Sequence, residues 1–165
     1  MSGTPSADST SVDLGSIQVN APQHTFVDPH PTRSLDVGFV DAGQIVGWDP
    51  GSGSVKPGDA IHPRLVWRAF GRSGAAYTVF IHLLNSTGKI VGQRDEAPNH
   101  NARPTTTWVA GEYIEDPHDV DVPLAAPPGT YQIEVGLYDP TSGQRVRLTT
   151  SADSAIIGSV EILPR

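Results

Sequence analysis

From Ser34 onward no stretch of helical length escapes a proline or glycine, and short runs of Val, Ile, Leu, Tyr, Phe and Thr alternate with clusters of Gly, Pro, Asn and Asp. Such punctuation ends a strand every few residues and denies a helix its 3.6-residue period, so the chain reads as nearly all β. The predicted strands are Leu35–Val40, Gln44–Trp48, Ile61–Phe70, Ala75–Leu84, Lys89–Asp95, Glu112–Val122, Thr130–Tyr138, Arg145–Thr149 and Ala155–Leu163. Most connections between them are short, which favours antiparallel pairing. About seven to nine short strands, each apolar on one face, bury those faces as a two-sheet antiparallel β-sandwich of immunoglobulin-like character.

Two hairpins follow with register. Closing Asn85-Ser86-Thr87-Gly88 as a tight turn sets Leu83 opposite Ile90, Ile81 opposite Gly92 and Val79 opposite Arg94. These residues, with Tyr77, form the expected core face, leaving Thr78, Phe80, His82 and Leu84 on the other face with Val91, Gln93 and Asp95. The second hairpin folds Thr130–Tyr138 onto Arg145–Thr149, with Tyr131, Ile133, Val135 and Leu137 inward above Val146 and Leu148. Its outward face carries Glu134, Tyr138, Arg145 and Arg147, with Arg147 opposite Gly136. Trp67 is the expected core tryptophan. Pro127-Pro128-Gly129-Thr130-Tyr131 has the form of a corner at which a tyrosine hydroxyl anchors on nearby backbone.

At 165 residues the chain has the length of about one domain. Residues 1–33, rich in Ser, Thr, Pro and Asp, cannot bury enough apolar surface to offset ordering entropy and are expected to be a flexible N-terminal tail or linker ahead of a 34–165 sandwich domain. Met1–Ser11 has neither the charged nor the apolar region of a signal peptide. The formal charge of −7 lacks the basic footprint of a nucleic-acid binder. The absence of cysteine excludes a disulfide framework, a thiolate metal centre and a cysteine nucleophile. The longest apolar stretch, Tyr77–Leu84, is broken by Thr78 and His82 and falls far short of the roughly 20 residues that span a bilayer, so no direct membrane insertion is expected.

The motifs Tyr77-Thr78-Val79-Phe80-Ile81-His82-Leu83-Leu84, Gly88 to Asp95, Pro104-Thr105 with Trp108, Gly111-Glu112 with Asp116, and Pro128-Gly129-Thr130-Tyr131 through Gly136-Leu137-Tyr138-Asp139 to Gly143-Gln144-Arg145 occur in that order. Together they resemble the β-sandwich domain of bacterial, Chloroflexi-type extracytoplasmic proteins, often found C-terminal to membrane mannosyltransferase-like glycosyltransferases. The resemblance covers Ser34 to Leu163. It implies the sandwich fold and an extracytoplasmic or cell-surface setting, and it brings no catalytic residues. Any transferase activity would belong to another part of a larger protein.

Three groups of residues invite a functional reading. Phe80, His82, Gln93 and Asp95 share one face, and polar groups around an aromatic ring suit a sugar, whose hydroxyls need partners while its CH face packs on the ring. On the alternative reading, the segment Glu96–Trp108 folds over this face and His82 is a buried, satisfied histidine. Trp108, Tyr138 with Arg145, Trp48 and Tyr113 lie near predicted turns, as stacking platforms or as packing. Glu112, Glu115, Asp116, Asp119 and Asp121 surround His118. Of these, Glu112 and Asp116 are the candidate calcium ligands, although the spacing is not that of an EF-hand and edge-strand charge explains most of the acids. A small metal-dependent hydrolase would require these acids to converge with a histidine. No nucleophile elbow, zinc-protease helix, phosphate loop or dinucleotide fingerprint is present. The expectation is therefore a non-catalytic, extracytoplasmic accessory module that binds a glycan. Its alternative is an immunoglobulin-like spacer or protein-interaction domain meeting a cell-surface protein.

Overall fold

The computed structural model describes residues 23–165. Eleven strands run in chain order: β1 Arg33–Phe39, β2 Gly43–Asp49, β3 Ser54–Val55, β4 Ala60–Ile61, β5 Arg64–Ala69, β6 Thr78–Leu84, β7 Ile90–Glu96, β8 Tyr113–Pro117, β9 Val120–Asp121, β10 Gly129–Tyr138 and β11 Ala155–Ile162. One sheet has the order β1-β2-β5-β8 and the other β3-β11-β10-β6-β7, with β4 and β9 pairing separately. All pairs are antiparallel except β3 with β11. The fold is thus an all-β sandwich with more strands than expected. Two extra ones arise where a predicted strand breaks at a proline, which cannot donate to a ladder; β3 is a short strand outside the predicted set, and the predicted strand Arg145–Thr149 does not form. Ile61–Phe70 splits into β4 and β5 around His62-Pro63. Glu112–Val122 splits into β8 and β9 after Pro117, where the His118 N–H turns to the Pro63 carbonyl at 2.9 Å. Among the described residues no helix is long and apolar enough to cross a membrane.

The core lies between the two large sheets. Phe39, Ile45, Leu65, Trp67 and Ile114 from one sheet meet Val79, Ile81, Leu83, Ile133, Val135 and Leu137 from the other. The alternation expected for β6 and β10 is therefore realised, and Trp67 is fully buried as expected. Trp48 is inside as well: a Cβ added at Gly158 of β11 would lie 2.3 Å from its ring, so the indole rests directly on the opposite sheet's backbone. At the predicted corner, the Tyr131 hydroxyl donates to the Pro127 carbonyl at 2.9 Å.

The first hairpin keeps its faces but not its register. Leu83 pairs with Gly92, Ile81 with Arg94 and Val79 with Glu96, two residues from expectation. The Asn85 N–H closes on the Lys89 carbonyl, which lengthens the turn by one residue, and a bulge between Leu83 and Leu84 adds another at Val91. Two single slips restore the parity of the side chains from Gly92 onward, but at the bulge the two residues trade places: Ile90, expected in the core, pairs with Leu84 and is 42% exposed, while Val91 packs against the core.

The second hairpin is corrected more deeply. Arg145 bridges Tyr138 and the Val146 N–H bonds the Leu137 carbonyl, but Leu148 bridges Phe39 of β1. This segment leaves its hairpin and crosses to the other sheet, so Arg147 does not face Gly136. The strand that pairs with β10 on that side is β11.

The expected linker also ends earlier than Arg33. Residues 1–22 lie outside the described residues, whereas Thr25 bridges Tyr113 at the β8 edge and Pro31 fills the space above Gly47 of β2. Residues 23–32 therefore strap the outer face of the first sheet and belong to the domain.

Gly158→Ala places a methyl group inside the Trp48 ring. Its urea midpoint is expected to fall by the equivalent of about 1–3 kcal/mol, while Gly53→Ala, which meets nothing within 4 Å, leaves the midpoint unchanged.

Candidate functional site

Because β10 pairs with β6, the outward faces of the two hairpins join into one surface. Phe80 sits between Asp95 of β7 and Gly136 of β10, and His82 between Gln93 and Glu134. Six of the seven candidate ligand residues, Phe80, His82, Gln93, Asp95, Tyr138 and Arg145, are thereby brought together. Trp108 is not among them. It is 2% exposed, packs 5.7 Å from the Trp67 ring and donates its indole N–H to the Arg103 carbonyl.

The Phe80 ring has no free face. A Cβ at Gly136 would lie 2.1 Å from the ring, so the ring lies across the β10 backbone. The Arg145 guanidinium covers it 4.4 Å from the centroid, and His82 stacks beside it at 4.6 Å. Tyr138 completes the rim, its phenol pushed up by burial and by the neighbouring Asp95 carboxylate. The cover is not the Glu96–Trp108 segment but the connection from β10 to β11, pinned by Arg145 to Asp153 at 3.3 Å and by the Ser154 hydroxyl to Glu134 at 2.8 Å. Gln93 and Asp95 stay exposed around a closed aromatic.

Glu134 and Ser154, absent from the sequence-based site, create a Ser–Glu–His array with His82 Nδ1 2.8 Å from the carboxylate. The order of the three decides its chemistry. Nucleophilic catalysis needs the imidazole between hydroxyl and carboxylate so that it can take the hydroxyl proton. Here the carboxylate is in the middle and receives the serine hydroxyl itself, which orients the loop and does not activate the oxygen. Nothing in the chain signals this array, since it depends on which strands are neighbours.

The acidic group around His118 separates according to strand alternation. Glu115, Asp119 and Asp121 face solvent; Glu112, Asp116 and His118 are buried. Asp116 accepts from Trp67 Nε1 at 2.8 Å and from the Asn99 N–H at 2.7 Å. His118 lies between two acids, with Nε2 2.9 Å from Asp116 and Nδ1 3.2 Å from Glu96, close separations without aligned hydrogen-bond geometry. Above Asp116 the residues Asn99, His100 and Asn101 are consecutively left-handed, with φ of 53°, 52° and 69°. Asn and His tolerate that region better than most residues, and the turn closes through Ala97 and the Asn101 side chain.

Glu112 is held separately, by Arg103, the Val109 N–H and His24 of the strap. Glu112 and Asp116 thus spend their oxygens on donors of the chain itself, and among the described residues no three His, Asp or Glu side chains converge as metal ligands. Glu112 and Asp116 are thus held on separate sets of donors and do not form a calcium pair, whereas Asp116 does meet His118, together with Glu96, inside the fold.

No family model matches the chain, and the curated proteins compared with it give no match.

Burial alone would push the Glu112 carboxyl up, but His24, the Val109 N–H and Arg103 outweigh it and hold the group below its ordinary value of 4.5. Glu96 is lowered likewise: burial opposes, Arg94 and His118 prevail. A carboxyl depressed in the folded state stabilises above its unfolded pKa and loses that contribution as pH falls through the folded value. Urea stability is therefore expected to decline below about pH 4.5. Glu112→Gln should cost about 3 kcal/mol at neutral pH and make the acid limb shallower.

Proposed function

We propose that this chain is a non-catalytic β-sandwich accessory module that acts as a spacer or protein-interaction domain, in the extracytoplasmic setting that its sequence resemblance implies. One observation carries the choice over glycan binding: Phe80, the ring around which the candidate sugar site is built, is sealed between the Gly136 backbone and Arg145. A pyranose stacks through its CH face on an open aromatic face. The three tryptophans offer none either, each being 2% exposed or less. The non-catalytic reading is supported by the carboxylate-centred order of Ser154, Glu134 and His82, and by the internal donors that occupy Asp116 and Glu112.

The test is a titration of tryptophan fluorescence and thermal stability against a glycan panel, with and without calcium, on the parent chain, Trp108→Ala and Arg145→Ala. No saturable response is expected from any of the three, and Trp108→Ala should lose about 3–5 kcal/mol of stability as a core truncation. A saturable shift in the parent chain would establish glycan binding and overturn the spacer reading.

A further inference from the structure

At the end of the sandwich where β1 turns into β2 and β5 leaves its sheet, apolar and cationic side chains gather. Val40 is 51% exposed, Phe70 52% and Val109 41%. The Phe70 N–H bonds the Ala42 carbonyl and the Gly111 N–H bonds the Ala69 carbonyl, which ties the three turns that carry them side by side. Phe70 is flanked in sequence by Arg68 and Arg72, both exposed, and the Arg147 carbonyl accepts the Val40 N–H. Among the described residues Arg68, Arg72 and Arg147 have no carboxylate partner. Two depressions open at this end: a groove of about 370 Å³ with Val40, Tyr77, Val146 and Arg147 in its walls, and a second of about 260 Å³ lined by Arg68, Phe70 and Gly111.

We infer that this end of the sandwich docks a polypeptide segment of a partner protein, one that sets an apolar side chain in the groove and carboxylates against Arg68, Arg72 and Arg147. The inference rests on the protein-interaction reading above and names its surface and partner chemistry. The charge pattern selects a polypeptide over an anionic lipid surface. The groove also presents Asp41, which accepts from the Tyr77 hydroxyl and the Gly74 N–H, and Asp139, which accepts from the Thr141 N–H and the Ser142 hydroxyl. A uniformly negative surface would be pressed against both carboxylates. A peptide can meet the arginines with acids and leave Asp41 and Asp139 hydrated or facing donors. Exposed apolar side chains ringed by arginine match the composition of interface centres, where Arg and aromatic residues are enriched.

The probe is a phage-displayed random peptide library selected on the full chain, with the recovered sequences synthesised and their affinities measured by fluorescence anisotropy at low and high salt. The expected result is a consensus pairing Asp or Glu with a large apolar residue, and binding that salt weakens. Phe70→Ser and the double variant Arg68→Gln, Arg72→Gln should each reduce affinity about tenfold or more. Leu124→Ser, at an apolar side chain 67% exposed beside Pro128 and Arg165, should leave it unchanged. Unaltered melting temperatures in these surface variants separate lost docking from lost folding.

A selection without that consensus, or peptides indifferent to Phe70→Ser, overturns the proposal. So does binding to vesicles of phosphatidylglycerol and phosphatidylcholine that depends on the same residues while no peptide binds. A glycan response would remove the underlying interaction reading itself. A silent glycan panel with no selected peptide overturns only this surface.

Discussion

Asp116 is a fully buried carboxylate placed where the two sheets meet at their open side, and the structure around it is organised to satisfy that charge. Trp67, the central core side chain, turns its indole N–H to it; Asn99 contributes a backbone N–H; and His118 stands between it and Glu96 of the other sheet. An uncompensated buried charge costs several kcal/mol, so each of these groups is constrained by the others. The left-handed run Asn99–Asn101 sits at this point, with the Asn99 N–H donated to the carboxylate. The segment between β7 and β8, expected to lie over the His82 face, is thereby drawn to the side of the sandwich and closes the seam between the edge strands.

Glu112 repeats the device four residues earlier, just ahead of β8. Its oxygens gather Arg103 from the same closing segment and His24 from the strap, so the strap is attached through a buried charge as well as through the Thr25 bridge. Two buried acids, one in β8 and one just ahead of it, therefore fix two irregular segments that have little apolar surface of their own. Acids that resemble a metal-binding cluster in the sequence are instead the anchors of the fold.

The outer face of the second sheet follows the same logic with weaker interactions. Phe80 would expose a large ring there, and the β10–β11 connection covers it with Arg145 while Ser154 and Asp153 tie the loop down. The cation over the ring adds about 0.5–1 kcal/mol at such a partly exposed site, enough to favour the closed loop over an open aromatic. With that face closed, exposed apolar surface is left mainly at single side chains and at the turn end that carries Val40, Phe70 and Val109.

Local sequence determined the strand-forming segments, the inward faces of β6 and β10, the core position of Trp67 and the tyrosine corner, because alternation and turn residues act over a few neighbours. It did not determine the hairpin register, since a longer turn and a bulge at Val91 cost little locally and compensate each other. Nor could it show that Arg145–Thr149 divides between two sheets, that Trp48 and Trp108 lie inside, or that residues 23–33 belong to the domain. Strand order alone joined Glu134 and Ser154 to His82 and laid Arg145 over Phe80. These are contacts between residues far apart in the chain, set by which faces must be buried against each other, and only the tertiary structure decides them.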